Sequence, residues 1–591
     1  MINKIQFNVV LIFFCLSLLI GCKAEVNPPA ITDTKDLRIK IAAVDPLQKV
    51  FREDTLAVTD FVAEVDVAKG EYATIQFAVR SNFPVKLGVD IENPKFGAAE
   101  LTNVKSGFVG YVKAHRNFGN PSKYVLFTPS DNYPDPILPE VQTTIPGAQT
   151  QPVWISIQIP KDALPGVYKG KIQFSGEING SSFTKIGSCN CEINNNFFSV
   201  TKEFTITVHN VTMNKPRLWV DNFWTSDYFS YLNNGMPVEK YSDKYWEYLT
   251  DMARIMKEYS QNMVFVPTLQ DTKYSKSGGS WQFDFSNFDK TVQIFLNDGG
   301  MDRLTGADFG MRSGQAGFTF EDDPIWLFVP VLDGGSYKLK LFPHTSTEVR
   351  DFYSSFIPAL MSHLQAKGWK SIYTQVVADE PTDGNAPSLI SASRYIKTLL
   401  DPDIKTQCTN KTDLVIDQGA VDILIPPLQL FEWSLPKYLD QINKGKEVWF
   451  YTYVGPEYEF ANRFIELPLL KVRYMHWLNY RYGATGYLHW GFNFWGLSKD
   501  KDPFSETTPG NGGGGDCWIT YPYKGKFISS IRLDAMRDGI ADYELLKMYE
   551  AKSKTNADAL CKKQIRSLLD YDMDIKTFRA TRKTMLIELS K

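Results

Sequence analysis

The chain is poor in the residues that build metal sites and disulfide frameworks. Its 591 residues include seven cysteines and six histidines. Cys15 and Cys22 fall in the N-terminal apolar segment. Cys189, Cys191, Cys408, Cys517 and Cys561 remain, an odd and scattered set that forms no disulfide framework. Cys189 and Cys191 flank one residue, a poor zinc spacing. The histidines stand singly, without an H-E-x-x-H pair. No metal and no cofactor is therefore expected. Charge of one sign is also lacking: 64 basic residues are interspersed with 67 acidic ones, for a net charge of −3. That excludes the basic footprint of a nucleic-acid binder. The glycine run "GNGGGGDCW" is not followed by the Lys-Ser/Thr of a phosphate loop. The apolar run from Phe7 to Ile20 is too short to span a bilayer comfortably.

What is present describes a large folded protein. At 591 residues, two or three domains are expected. The content, 43% hydrophobic and 22% charged, is that of a globular chain. Aromatics reach 14%, with 13 Trp and 29 Tyr, which suits either a large core or surfaces that stack on sugars. The N-terminus carries Lys4, the apolar run and then "LLIGC", the flanks of a signal peptide. Leu-Ile-Gly-Cys resembles the bacterial lipobox. The resemblance implies a signal peptide over 1–21, lipidation of Cys22 and a polar tether over 22–36. The expected location is the Gram-negative cell envelope, with membrane contact through the lipid alone.

Residues 37–212 read as an all-β sandwich. "YATIQFAVRS", "QPVWISIQIP" and "KEFTITVHNV" alternate apolar and polar residues between Gly, Pro and Asn punctuation. After Pro216 strand-like runs alternate with helical ones. "RLWVDNFW", "NMVFVPTL", a less distinct strand near 325–341, "SIYTQVVADEP", "IKTQCTN", "VDILIPPLQ", "KEVWFYTYVG" and "TGYLHWGFNFW" make eight. Repeated strand–helix units with eight strands predict a (β/α)8 TIM-like barrel over 213–528. Residues 529–591 read as C-terminal helices packed beside it.

Active sites of such barrels gather at the C-terminal ends of the strands. "YTQVVADEPTDG" ends the fourth strand on Asp379 and Glu380, followed by Pro381. Proline biases the preceding residue to extended angles, and alternation then sends the two carboxylates to opposite faces. Both reach one pocket only if the chain bends at the strand tip. In "GYLHWGFNFWG", alternation places Tyr487, His489, Gly491, Asn493 and Trp495 on one face and Trp490, Phe492 and Phe494 on the other. A close backbone approach or bulge at Gly491 would reset the faces, so Trp490 and Trp495 are both candidates for a sugar platform. Asn493 could bond hydroxyls. Asp516 and Trp518 follow the glycine run on a loop after the eighth strand, where sugar contacts are expected, and His344 is a candidate near the third strand.

"VVADEP", "GYLHWGFNFW", "GDCWITYP" and "SSIRLDAMRDGIADYELL" resemble glycoside hydrolase family 123 and its broader relatives. The resemblance covers most of the chain after the tether and is strongest from about 370 to 550. It implies an exo-acting β-N-acetylgalactosaminidase working by substrate-assisted catalysis on a glycan with a terminal 2-acetamido sugar. Glu380 would be the general acid and then the base. Asp379 would orient the 2-acetamido group, whose oxygen attacks C1 to give an oxazolinium. Tyr453 could bind the acetamido carbonyl. An ionised Asp379 would also strengthen the hold of Glu380 on its proton. The alternatives are a glycosidase of the same fold acting on another sugar such as β-N-acetylglucosamine, and a carbohydrate-binding lipoprotein without turnover.

Overall fold

The computed structural model describes residues 36–56, 61–114, 123–178, 185–186, 192–194, 197–498, 501–505 and 514–591. The signal segment, Cys22, the tether up to residue 35, Cys189, Cys191 and the glycine run up to residue 513 lie outside the described residues.

The N-terminal part is a sandwich of two sheets. One runs in the order Ile39–Val44, Tyr72–Ser81, Gln149–Gln158, Val104–Lys113, Asn132–Leu138. The other centres on Phe197–Thr212, Gly166–Ile178 and Val85–Phe96. Phe77, Val153, Ile155, Ile172, Phe174 and Ile206 fill the space between them, the inward half of strands whose side chains alternate. The outer face of Tyr72–Ser81 is covered as well. Gln76 donates to the carbonyl of Asp45, and Arg537 from the C-terminal helices reaches Thr74.

The second part is a barrel of eight parallel strands: β1 (Trp219–Asn222), β2 (Met263–Val266), β3 (Arg303–Gly306), β4 (Tyr373–Val376), β5 (Lys405–Thr409), β6 (Ile423–Ile425), β7 (Glu447–Thr452) and β8 (Gly486–His489). Ladders join β1 to β8 and run in order from β8 back to β2. No backbone ladder joins β1 to β2 among the described residues. Side-chain amides bridge that seam. Val220 N donates to Asn262 Oδ1 at 3.0 Å, Asn262 Nδ2 donates to the carbonyl of Leu218 at 2.9 Å, and Asn222 Nδ2 donates to Gln261 Oε1 at 3.0 Å. An amide carries both donor and acceptor, so it can replace ladder bonds that would otherwise leave buried backbone groups unpaired.

The count of eight is right, but one member differs from the sequence expectation. The third strand is "RLTG" at 303–306, between β2 and β4. Ile325–Asp333 and Ser336–Phe342 instead form an antiparallel hairpin outside the barrel. Gly306 marks why β3 is inconspicuous. A Cβ there would lie 1.9 Å from the Tyr373 hydroxyl, so this strand position cannot carry a side chain.

The C-terminal helices share the barrel's core. Helix Ile531–Lys552, capped by Ser530, is buried on nearly every face because it lies between helix Leu469–Tyr482 and the sandwich. Its charged residues are paired. Arg532 forms a two-pronged ion pair with Asp135 of the sandwich at 2.9 and 2.7 Å. Asp534 accepts the indole N–H of Trp154 at 2.9 Å, and Asp542 is held between Arg473 and Arg582.

Candidate active site

β4 stops at Val376, and the chain bends at Asp379, next to Glu380. Glu380 is not extended as Pro381 predicts. Its φ is +46°, in the left-handed region, at a cost of about 1–2 kcal/mol for a residue with a Cβ. Tertiary bonds hold it there. Arg312 donates to the Glu380 carbonyl, and Glu380 N donates to Thr409 Oγ1 at 3.3 Å. The turn undoes the alternation of the strand, so both carboxylates face one cavity of about 420 Å³, a volume suited to a small ligand. Neither carboxylate caps the following helix, Ala386–Lys397.

The two acids sit in different surroundings. Asp379 accepts a hydrogen bond from Thr409 at the end of β5. Its location deep in the cleft, and after that the charge of Glu380, push its carboxyl up to about 6. Its surface is open to the cavity, so water tempers the first of these effects. Asp379 thus holds its proton more tightly than usual. Glu380 is gripped at both oxygens. Tyr451 donates to Oε1 at 2.6 Å, and the Lys411 ammonium pairs with Oε2 at 2.6 Å. Burial, and then Glu380, raise the Tyr451 phenol well above its ordinary value, so it remains a donor. Asp308, just past β3, is a third carboxyl nearby. Burial and the charge of Asp379 push it up to about 8, which favours its neutral form.

The opposite wall comes from β7, β8 and the loop after β8. Tyr453, Leu488, Trp490 and Asp516 line it, with Phe223 from the end of β1 and Val454 at the rim. The Tyr453 hydroxyl accepts the Gln429 amide N–H at 2.9 Å, so its own proton can point into the cavity. Trp490 donates its indole N–H to Asp516 Oδ2 at 2.9 Å, which fixes the ring as a wall. His489 Nδ1 accepts the backbone N–H of Gly491 at 3.0 Å. Burial keeps this imidazole neutral, so its proton sits on Nε2, 3.2 Å from Asp516 Oδ1 in a geometry too poor for a full hydrogen bond. Burial pushes Asp516 up to about 7.

Of the remaining candidates, four lie elsewhere. The Asn493 side chain is spent on the backbone of Thr225, accepting from N at 3.0 Å and donating to O at 2.8 Å. Trp495 is in the core, with its indole N–H on the Thr520 carbonyl. Trp518 is fully buried and does not line the cavity. His344 follows the hairpin rather than β3 and pairs with Ser391 at 2.8 Å, away from the cavity. Gly491 does reset the faces of this segment. A Cβ there would fall 2.4 Å from the Asp516 carbonyl oxygen, so the two backbones touch and Trp490 turns inward.

Thr409, Lys411, Tyr451 and Arg312 were not anticipated. A signal existed for the first three. Thr409 and Lys411 occupy the end of β5, and Tyr451 shares the face of Tyr453 by period two.

Residues 230–549 match the model of the glycoside hydrolase 123 catalytic domain, and residues 52–176 match that of the glycoside hydrolase 123 N-terminal domain. The structure is similar to that of a family 123 glycoside hydrolase from Clostridium perfringens, described for glycolipid glycan hydrolysis. The TM-score is 0.68 at 15% identity, over 94% of this chain and 97% of that one. A Bacteroides vulgatus protein provisionally described as a glycoside hydrolase aligns over 74% of each chain at 9% identity, with a TM-score of 0.29. No curated protein matches the chain.

Proposed function

The chain belongs to glycoside hydrolase family 123 and is a glycoside hydrolase, and from that premise we propose that it removes terminal β-linked N-acetylgalactosamine from glycans with retention, using the sugar's own 2-acetamido oxygen as nucleophile. The observation that carries this reading is that two neighbouring carboxylates, Asp379 and Glu380, reach one cavity.

In the first half-reaction the acetamido oxygen bonds to C1 as the C1–O bond breaks, and protonated Glu380 gives its proton to the leaving oxygen. Asp379 accepts the acetamido N–H and balances the positive charge of the oxazolinium, while Tyr453 donates to the acetamido oxygen and aims it. In the second half-reaction water attacks C1, ionised Glu380 takes its proton, and the oxazolinium ring opens. The ion pair with Lys411 is the form of Glu380 that this second half needs. No carboxylate is required on the far side of the sugar, unlike the ordinary flanking pair of glycosidases.

Asp379 works only when ionised. With its carboxyl at about 6, it is charged above that pH and neutral below, so kcat/KM should fall on the acid side around pH 6. Thr409→Val removes a hydrogen bond that favours the charged form. The acid limb of the pH–rate profile should then move upward, by up to about one unit.

The substrate assignment is tested with aryl β-glycosides of N-acetylgalactosamine, N-acetylglucosamine and galactose. Turnover is expected on the first and none on the third, which has a hydroxyl at C2. Equal rates on the first and third would overturn the reading. On the same footing, Cys22 is proposed as a lipid anchor to the cell envelope. Fatty-acid labelling that survives Cys22→Ala would refute it.

A further inference from the structure

Glu380 Oε1 is held from inside the barrel by Tyr451, while Oε2 faces Lys411 at the rim. Beyond Lys411 stands Phe320, with its ring centroid 5.7 Å from the ammonium. Phe320 is 55% exposed. It does not line the cavity that Asp379, Trp490 and Asp516 enclose.

An exposed phenylalanine on a loop is ordinarily unremarked, but this ring is fixed from several directions. The Arg312 guanidinium lies 3.7 Å from its centroid, and Arg312 Nε donates to the Phe320 carbonyl at 3.1 Å. The same guanidinium donates to the carbonyl of Glu380. The loop around it is tied to the segment after Glu380. Thr382 donates to the Glu321 carbonyl at 2.6 Å, and Asn385 donates to that of Asp323 at 3.2 Å. A single arginine therefore sets the catalytic backbone and the aromatic ring in one frame.

We propose that Phe320 is the platform for the leaving-group sugar, stacking on the apolar face of the pyranose that carries the glycosidic oxygen. This rests on the reading of Glu380 as the acid. The cavity takes the reacting ring, and Glu380 stands at the oxygen to be protonated. The next sugar then lies on the rim side, over Lys411 and Phe320. Arg312 acts as a positioning residue for both groups.

The test compares wild type, Phe320→Ala and Phe320→Trp on two substrates with the same terminal β-N-acetylgalactosamine. One is its methyl glycoside, whose aglycone is too small to reach the ring. The other is a disaccharide with a hexose as leaving group. The loss of kcat/KM in Phe320→Ala should be about tenfold greater on the disaccharide than on the methyl glycoside, and Phe320→Trp should recover most of it. Equal losses on both substrates, or none on the disaccharide, would overturn the platform while leaving the active-site reading intact. A wild type inert on both would remove the active-site reading and the platform with it.

Discussion

Glu380→Gln is expected to lower kcat on a glycan by roughly 10²–10⁴-fold, the range for loss of a positioned general acid. The change is close to isosteric, so Tyr451 keeps a partner and the left-handed turn is no more strained than before. The loss should shrink on an aryl glycoside with a strongly acidic leaving group, which departs without a proton. A second sign distinguishes this variant from one that is merely damaged. The charge of Glu380 is one of the causes that raise Asp379, so a neutral glutamine should move the acid limb to lower pH. Asp516 supplies the contrast. It is the other carboxylate lining the cavity, and in an ordinary two-carboxylate glycosidase it would be the nucleophile or the base. Here it is 2% exposed and bonded to Trp490. Asp516→Asn should therefore raise KM more than it lowers kcat, and a loss of kcat as deep as that of Glu380→Gln would favour the two-carboxylate mechanism.

Arg532→Met should be strongly destabilising. Arg532 and Asp135 are both fully buried, and removing one member of such a pair leaves the other charged and unpaired, at about 3–5 kcal/mol. Arg532 also donates to the carbonyls of Arg463, Gly515 and Trp518 at 2.8, 2.7 and 3.0 Å, fixing the loop that carries Asp516. Thermal unfolding should show a large drop in Tm, with activity lost as the Trp490–Asp516 wall loosens. Replacing both partners, Asp135→Leu with Arg532→Met, should recover part of the Tm, because the uncompensated Asp135 carboxylate is gone while the Tyr521 hydroxyl and the three carbonyls still lack their partner. A single variant as stable as wild type, or a double variant worse than the single, would show that the pair is not what joins sandwich to helix. None of the residues of "SSIRLDAMRDGIADYELL" lines the cavity; the segment ties the sandwich to the loop that carries Asp516.

Much of this architecture was legible in the sequence, for identifiable reasons. Long alternating strands such as Tyr72–Ser81 and Gln149–Gln158 stand out because the sandwich core needs every second residue apolar. The barrel strands are short, and that is where reading failed. β3 has four residues and a glycine, while the hairpin at 325–342 has the stronger strand pattern. Its pattern reflects a ribbon that buries Ile325, Leu327 and Val329 against the neighbouring helices, not a barrel position. β8 likewise ends at His489. Alternation carried past that point misplaced Asn493 and Trp495, which belong to a loop bonded to Thr225 and Thr520.

The acid pair stands out in the sequence because a strand end is where barrel chemistry collects, yet its geometry is not readable there. The restriction from Pro381 is local, and it is overridden by Arg312 and Thr409, residues 68 and 29 positions away in sequence. A strand end and period two place Lys411 and Tyr451 near the cleft, but their contacts with Glu380 are tertiary and no spacing along the chain encodes them.

The proposed attack by the acetamido oxygen is tested most directly with a series of aryl β-glycosides whose N-acetyl group carries none, one, two or three fluorines. Each fluorine withdraws electrons from the carbonyl oxygen and weakens it as a nucleophile, while the leaving group stays constant. A steep fall in kcat along the series is expected. A kcat indifferent to fluorination would mean that a protein group or water attacks C1, and that Asp379 and Glu380 do something else.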